Sequence, residues 1–338
     1  MPPTVAADVS RAYLVTMSQT PPFLNPGRPL VPDIVMPRGV VPFYLPRRPV
    51  RGRLVRLGML ADALLTRHDN HPLVISLAGQ ALALAAALST ALKFRGSFSM
   101  QTKGDGPVSM LLADCTNTGA LRGYARANPD KLAALLSTNP TPGADELLGS
   151  GYLAFTVDQG SEMTRHQGIV SIEGSDLASM ALHYFQTSEQ MSCMLALASG
   201  QTEAGWRAGA LIVEKVAGAG GIDPALDADA QDESWSTATA LAATLTEAEL
   251  LDDTLPAETL LYRLFHTEGV AVGRARALSF GCRCSRARLS GILETFPHED
   301  LDHMTVDGNI IMTCEFCNVD FRFQREEVRG AFVSPRQH

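Results

Sequence analysis

Gly281-Cys282-Arg283-Cys284-Ser285 and Cys314-Glu315-Phe316-Cys317 hold four of the chain's six cysteines within 36 positions. One pair is separated by a single residue, the other by two. The first lies on a loop after a strand-like Leu278-Ser279-Phe280, the second at the knuckle of a hairpin. Two such pairs supply the donors of a closed tetrahedral site of four sulfurs, so Cys282, Cys284, Cys314 and Cys317 are the candidate ligands of one zinc ion per chain. The CxC pair sets this pattern apart from the ordinary double-CxxC ribbon. His298 and His303 lie between the pairs, but four sulfurs complete the set and both histidines are expected at the surface.

Zinc and a disulfide exclude each other at these positions. Sulfurs each about 2.3 Å from a tetrahedral zinc lie roughly 3.7 Å apart, whereas a disulfide needs about 2.05 Å. Oxidation must therefore eject the ion. The 58 residues from Gly281 onward can bury only a limited core. Structural zinc contributes roughly 10–16 kcal/mol of apparent binding free energy, comparable with the whole stability of a domain at about 5–15 kcal/mol, so loss of the metal should unfold the tail. A disulfide across CxC closes a very small loop and restores little order. A permanent structural zinc site is the plainer use of four cysteines, and spacing alone favours it.

Around the cysteines the tail reads as a helix-plus-hairpin module. Leu289, Ile292, Leu293 and Phe296 recur at helical spacing, Pro297 ends the run, Asp307-Gly308 signals a turn, and strands are expected at 309–313 and 319–323. Upstream, residues 222–268 carry eleven acids against one arginine. Thr246-Glu247-Ala248-Glu249 has the form of a capping box. Pro256 suits the first turn of another helix, with Leu260, Leu261, Leu264 and Phe265 on one face. Short helices with exposed like charge need a partner surface.

The remainder is a mixture of helices and hairpins. VRGRLVRLG (50–58) suggests a strand, 59–67 and 72–93 helices, and 98–102 and 108–112 a hairpin around the turn sequence KGDGP. Further strands are expected at 121–126, 151–158 and 168–172, and a helical run over 176–198. Without regular strand–helix alternation this is an α+β fold. The expected division is a flexible Pro-rich extension (1–31), an N-terminal α+β domain of mixed sheet and helices (32–221), a short acidic helical linker (222–280) and a small C-terminal zinc-binding module (281–338). Pro72 to Leu92 is 21 residues without a charge, long enough to cross a membrane. It is Ala-rich and contains Ser76, Gln80, Ser89 and Thr90, which favours a buried helix instead.

The absence of a secretory pattern at residues 1–10 points to the cytoplasm, where clustered cysteines serve as metal ligands or redox switches. Cys115 and Cys193 are expected to be inert buried thiols. The net charge of −8 is uneven: residues 1–60 hold eight arginines against two aspartates, while the tail has seven arginines and nine acids. That tail offers no basic footprint for a phosphate backbone.

The combined motifs resemble the heat shock protein 33 family of redox-regulated chaperones. FGCRCSRARLSGIL and IIMTCEFCNVDFRF are similar to its zinc module. The likeness extends over roughly residues 33–328 through VRGRLVRLG, Arg67-His68, LKF, QTKGDGPVSMLL, LRGYAR, HQGIVSIEG, YFQTSEQ and AGALIVEKV. His166 stands where a tyrosine is expected, and Glu214-Lys215-Val216 replaces a Gln-Leu-Pro ending. The resemblance implies an ATP-independent holdase, not an enzyme, that is inactive when reduced and zinc-bound. Oxidation would pair Cys282 with Cys284 and Cys314 with Cys317, release zinc and unfold tail and linker. The exposed apolar surface would then bind unfolding or oxidatively damaged client proteins, with homodimer formation and no role for nucleic acid or membrane.

Two other functions fit parts of the pattern. A thiol-disulfide oxidoreductase could use Cys314 and Cys317, although a catalytic CxxC normally sits at a helix start with one accessible thiolate. A zinc-ribbon nucleic-acid binder could use Arg283, Arg286 and Arg288, against the acidic balance of the tail. There is no G-x-x-x-x-G-K-[ST] loop for a nucleotide, and Gly104-Asp105-Gly106 reads as a turn. His183, Ser188 and Glu189 make a hydrolytic triad on paper only.

Overall fold

The computed structural model describes residues 33–90, 95–160, 165–216 and 228–330. The extension expected at 1–31, the first residues of the linker, the last residues of the tail and the end of the helix expected to reach residue 93 lie outside them. The chain opens with β1 (Val35–Leu45), β2 (Val50–Arg56), α1 (Met59–Leu65) and α2 (Pro72–Ser89). It continues through β3 (Ser97–Gly104), β4 (Val108–Thr116), β5 (Ala120–Ala127), α3 (Pro129–Thr138), α4 (Ala144–Leu148), β6 (Gly151–Asp158) and β7 (His166–Ser171). Then come α5 (Leu177–Thr187), β8 (Cys193–Thr202) and β9 (Gly205–Lys215). The mixture of one large sheet with helices agrees with the α+β expectation.

The charge-free run becomes α2, and its surroundings explain its composition. The strands order as β7-β6-β3-β4-β5-β11-β1-β2-β9-β8, with β11 (Arg276–Phe280) contributed by residues that follow the acidic helices. The sheet curls around α2, which touches β2, β3, β4, β5, β8 and β9, while α5 meets both end strands, β7 and β8. A helix enclosed in this way must be apolar on every side. Val74, Leu77, Leu82, Leu84 and Leu88 are accordingly all buried. Its small alanines let the strands approach, and Gly123 faces it so closely that an added Cβ would lie 2.9 Å from Leu82. The helix therefore has the length and hydropathy of a membrane span but the environment of a core.

One expected element is overturned. The helical run over 176–198 stops at Thr187, and β8 begins at Cys193. Gln190 takes a positive φ of 51°, which no helix accommodates, and residues 193–202 pair in register with β9 instead. Their side chains alternate between the core around α2 (Cys193, Leu195, Leu197) and the outer cluster (Met194, Ala196, Ala198), so both faces are apolar and the run suits either period.

The acidic segment forms α6 (Ala228–Ala242), α7 (Glu247–Leu251) and α8 (Ala257–Phe265), followed by β10 (Ala271–Val272) and β11 (Arg276–Phe280). The capping box forms as expected, with Thr246 and Glu249 exchanging hydrogen bonds, and Pro256 caps α8. Leu260, Leu261, Leu264 and Phe265 pack with Val41, Phe43, Leu54, Leu211 and Val213 on the face of the sheet turned away from α2. Phe43 and Phe265 stack with ring centroids 5.2 Å apart. The segment is thus not helical throughout: its last strand, β11, lies inside the sheet, antiparallel to β1 and parallel to β5. The tail follows as α9 (Arg286–Leu293), α10 (His298–His303), β12 (Thr305–Val306), β13 (Asn309–Cys314) and β14 (Val319–Gln324). These elements enclose a separate small core of Leu293, Leu301, Ile310, Phe321 and Phe323 beside the cysteines.

Candidate metal centre

The first cysteine pair is held by the sheet itself. The Gly281 amide donates to the Leu121 carbonyl at 2.7 Å, continuing the β11 pairing with β5. A Cβ at position 281 would lie 2.5 Å from the Ala120 backbone, so only glycine can precede Cys282 at this approach. Ser285 then caps α9, its hydroxyl accepting from the Arg288 amide at 3.2 Å. The second pair closes the β13–β14 hairpin. Cys314 pairs with Val319, and the Asn318 amide returns to the Cys314 carbonyl at 2.8 Å. Asn318 has a φ of 50°, a conformation that asparagine tolerates better than most residues.

These elements bring all four expected sulfurs together. Cys282 Sγ is 3.3 Å from Cys284 Sγ and 3.7 Å from Cys314 Sγ, and Cys284 Sγ is 3.5 Å from Cys317 Sγ. All four lie within 4.8 Å of one another. The spacing is near the roughly 3.7 Å edge of a zinc–thiolate tetrahedron and far from a bond of about 2.05 Å. Three of the thiols are buried and Cys314 is partly so. The donor set, its compactness and its burial fit a zinc ion, which would sit among the four sulfurs as a structural cross-link.

Proton sharing among the sulfurs gives each pair one acidic and one reluctant thiol. Hydrogen bonding from Cys284 lowers Cys282 to about 7. The neighbouring thiols, Cys282 first, push Cys314 far below its usual range. Cys284 and Cys317 are driven upward, in each case chiefly by Cys282. A divalent cation held here would displace these protons, because ligation requires thiolates.

The residues between the cysteines face the N-terminal sheet. Arg283 pairs with the buried Asp114 of β4, whose Oδ1 also lies 3.4 Å from Arg122 Nε. Phe316 meets Tyr124 edge-on at 5.2 Å, and the Arg122 guanidinium lies 4.1 Å over its ring. Glu315 pairs with Arg126 and sits beside Tyr124, whose phenol is raised to about 12, first by burial and then by this carboxylate. Asn318 donates to the Arg67 carbonyl at 2.8 Å. His68, next in the turn after α1, faces the same knuckle, and burial holds its imidazole below the usual range. Sequence reading passed over Asp114, Arg122 and Tyr124. Only the period-2 alternation of β4 and β5, which puts Asp114, Arg122 and Tyr124 on one face, could have pointed to them.

The other candidates fall away. His298 and His303 are on α10, where His298 contacts Arg325 and His303 contacts the Glu299 carbonyl. Cys115 is buried and its thiol is pushed up to about 11 by that burial; Cys193 is half-buried and raised to about 12. His183 lies 3.9 Å from Glu173, and Glu189 accepts from Tyr184, so His183, Ser188 and Glu189 form no triad. Arg286 stacks on Phe323 and pairs with Glu327. Together with the Arg283–Asp114 pair, this engages two of the three local arginines in contacts within the chain. Of the two departures, His166 is exposed on edge strand β7, while Glu214 is buried in a pair with Arg53 and Arg51.

The sequence model of a family described as Hsp33 protein matches residues 39–324, a span that includes the sheet, β11 and all four clustered cysteines. The chain is 41% identical over 295 residues to the 33 kDa chaperonin of Caulobacter vibrioides, covering 86% of this chain and 96% of that one. It is 34% identical over 293 residues to the 33 kDa chaperonin of Pseudomonas fluorescens, covering 86% and 92%. Its fold is similar to the crystal structure of the 33 kDa chaperonin (heat shock protein 33 homolog) from Thermotoga maritima. The TM-score is 0.68 at 22% identity, over 86% of this chain and 96% of that one. The likeness in sequence runs through the large sheet and the cysteine-bearing tail alike, and on it this chain belongs to the Hsp33 family.

Proposed function

We propose that this chain is a redox-regulated, ATP-independent holdase chaperone of the cytoplasm, silent when reduced and zinc-bound. The observation that supports this most directly is the position of the first cysteine pair. Cys282 follows β11 after the single residue Gly281, and β11 is the strand that ties the end of the acidic segment into the sheet. We divide the chain into an extension (1–31), a chaperone domain (32–221), a linker (222–280) and a switch module (281–338).

In the reduced state four thiolates hold the tail together around zinc, and α6–α8 cover Val41, Phe43, Leu54, Leu211 and Val213. Oxidation pairs Cys282 with Cys284 and Cys314 with Cys317. Each pairing passes two electrons to a peroxide, whose O–O bond breaks and which, with two protons, leaves as two waters. All four metal ligands are thereby withdrawn. The small core of the tail then lacks its cross-link, β11 loses the fold that follows it, and the covering helices detach. The uncovered apolar face binds unfolding polypeptides without catalysing a reaction on them, and the oxidised chain pairs as a homodimer.

Peroxide under mildly unfolding conditions should release one zinc per chain and switch on suppression of client aggregation. Oxidised, zinc-free protein that suppresses no more aggregation than the reduced form would sink the switch reading. Appreciable turnover in an insulin-reduction assay would instead favour an oxidoreductase.

A further inference from the structure

The spacers of the two cysteine motifs, and not only the cysteines, are engaged. Arg283 is the single residue inside CxC; Glu315 and Phe316 are the two residues inside CxxC. All three reach neighbours on β4 and β5, strands that belong to the large sheet and to neither cysteine loop. A tetrahedral site fixes the direction in which its spacers point, because each is held between two ligands. The sheet side is equally fixed: Asp114 is buried and its carboxylate faces both Arg122 and Arg283.

We propose that Arg283, Glu315 and Phe316, docked on Asp114, Arg122 and Tyr124, form an intramolecular latch that sets how tightly the metal centre holds its ion. This rests on the zinc reading of the four sulfurs but not on chaperone activity. The physical reason is reciprocity. An ordered metal site presents the spacers in the docking geometry, so metal favours docking; linkage then requires docking to favour metal retention by the same factor. The sheet is thus a set of positioning residues for a centre it does not ligate. The Phe316 contacts combine an aromatic edge-on pair with a cation–π contact. Together they correspond to about a tenfold effect on metal retention.

The test follows zinc transfer from the reduced full-length protein to a chromogenic chelator, without oxidant. Phe316→Ala, a change at the tip of the module, should shorten the half-life of transfer about tenfold, and Asp114→Asn should shorten it severalfold. Since Asp114 is buried, its variant is checked by urea unfolding of the N-terminal sheet, and Phe316→Ala combined with Tyr124→Ala provides an independent arm. A latch predicts that the double variant loses zinc little faster than Phe316→Ala alone, and that amide exchange in the knuckle at 315–318 rises while zinc is still bound. Wild-type release rates in the Phe316 and Asp114 variants, or fully multiplicative effects in the double variant, would overturn the latch. Purified reduced wild-type protein that carries no zinc would overturn the metal reading beneath it instead.

Discussion

The outer face of the sheet is covered in two places by opposite means. Over β1, β2, β8 and β9, helices α6–α8 bury Leu260, Leu261, Leu264 and Phe265 in an apolar cluster, at roughly 2 kcal/mol for each large side chain. Around it, arginines of the sheet grip the acidic segment: Arg48 reaches Glu268 and Ser234, Arg207 pairs with Asp253, and Arg56 donates to the carbonyls of Glu249, Leu250 and Leu255. Over β4 and β5 the tail makes only a few contacts, centred on Phe316, Asp114 and Tyr124. Its own small core is built around the sulfur cluster. On the proposed reading the well-buried covering has no chemical trigger of its own, and the module that carries the trigger has little docking surface. β11, between them in sequence and central in the sheet, joins the two.

The largest effect should come from removing the metal. Chelation under reducing conditions withdraws roughly 10–16 kcal/mol from a module with a small core, so amides of β13 and β14 should lose their exchange protection while those of α2 keep it. Equal protection in β13 and β14 with and without zinc would mean that the small core of Phe321, Phe323 and Leu301 suffices by itself, and the contrast between the coverings would collapse. Phe265→Ala attacks the other covering. Loss of a fully buried phenylalanine costs about 3–5 kcal/mol, and here it also removes the stack on Phe43. The reduced variant should keep its zinc yet suppress client aggregation without oxidant. If α8 exchanges freely in this variant and suppression stays at the reduced level, the client surface is not the face beneath α6–α8.

Much of this arrangement was legible in the residues. The sulfur cluster was, because two close thiol pairs carry the donor set of one tetrahedral site, and so were the Thr246 capping box and the apolar face of α8, since local chemistry determines both. The positive balance of residues 1–60 and the negative balance of 222–268 were visible as well. Their meaning was not, since only the fold brings Arg48 and Arg56 beneath the acidic helices. β11 as a central strand was hidden for a similar reason: five residues, Arg276 to Phe280, show strand character but not which partners they insert between. The misread 176–198 run failed where the sequence supports both periods and the β9 partner decides. Asp114 looked like any polar residue in a hairpin until the spacer Arg283 arrived from 169 positions away.

The smallest expected effect concerns the sheet that both coverings share. Glu214 is buried against Arg53, with Nη1 to Oε1 at 2.8 Å, and Arg51, at 2.7 Å. Burial opposes its ionisation, but the two guanidiniums outweigh it and hold the carboxyl below its usual range. A carboxylate whose folded pKa lies below its unfolded value of about 4.3 stabilises the fold fully above that value. The contribution is lost as pH falls through the folded pKa. Stability of the sheet should therefore decline below about pH 4.3, and Glu214→Gln should lower it at neutral pH by about 1.5–3 kcal/mol, the range for a hydrogen bond to a charged group. In that variant the acid slope should flatten, because one of the protons taken up on unfolding is gone. The measurement is urea unfolding followed by exchange of β2 and β9 amides, between pH 3.5 and 7. An unchanged acid slope in Glu214→Gln would show that the acid response arises in the coverings, whose acids pair with Arg48 and Arg207, and not in the sheet beneath them.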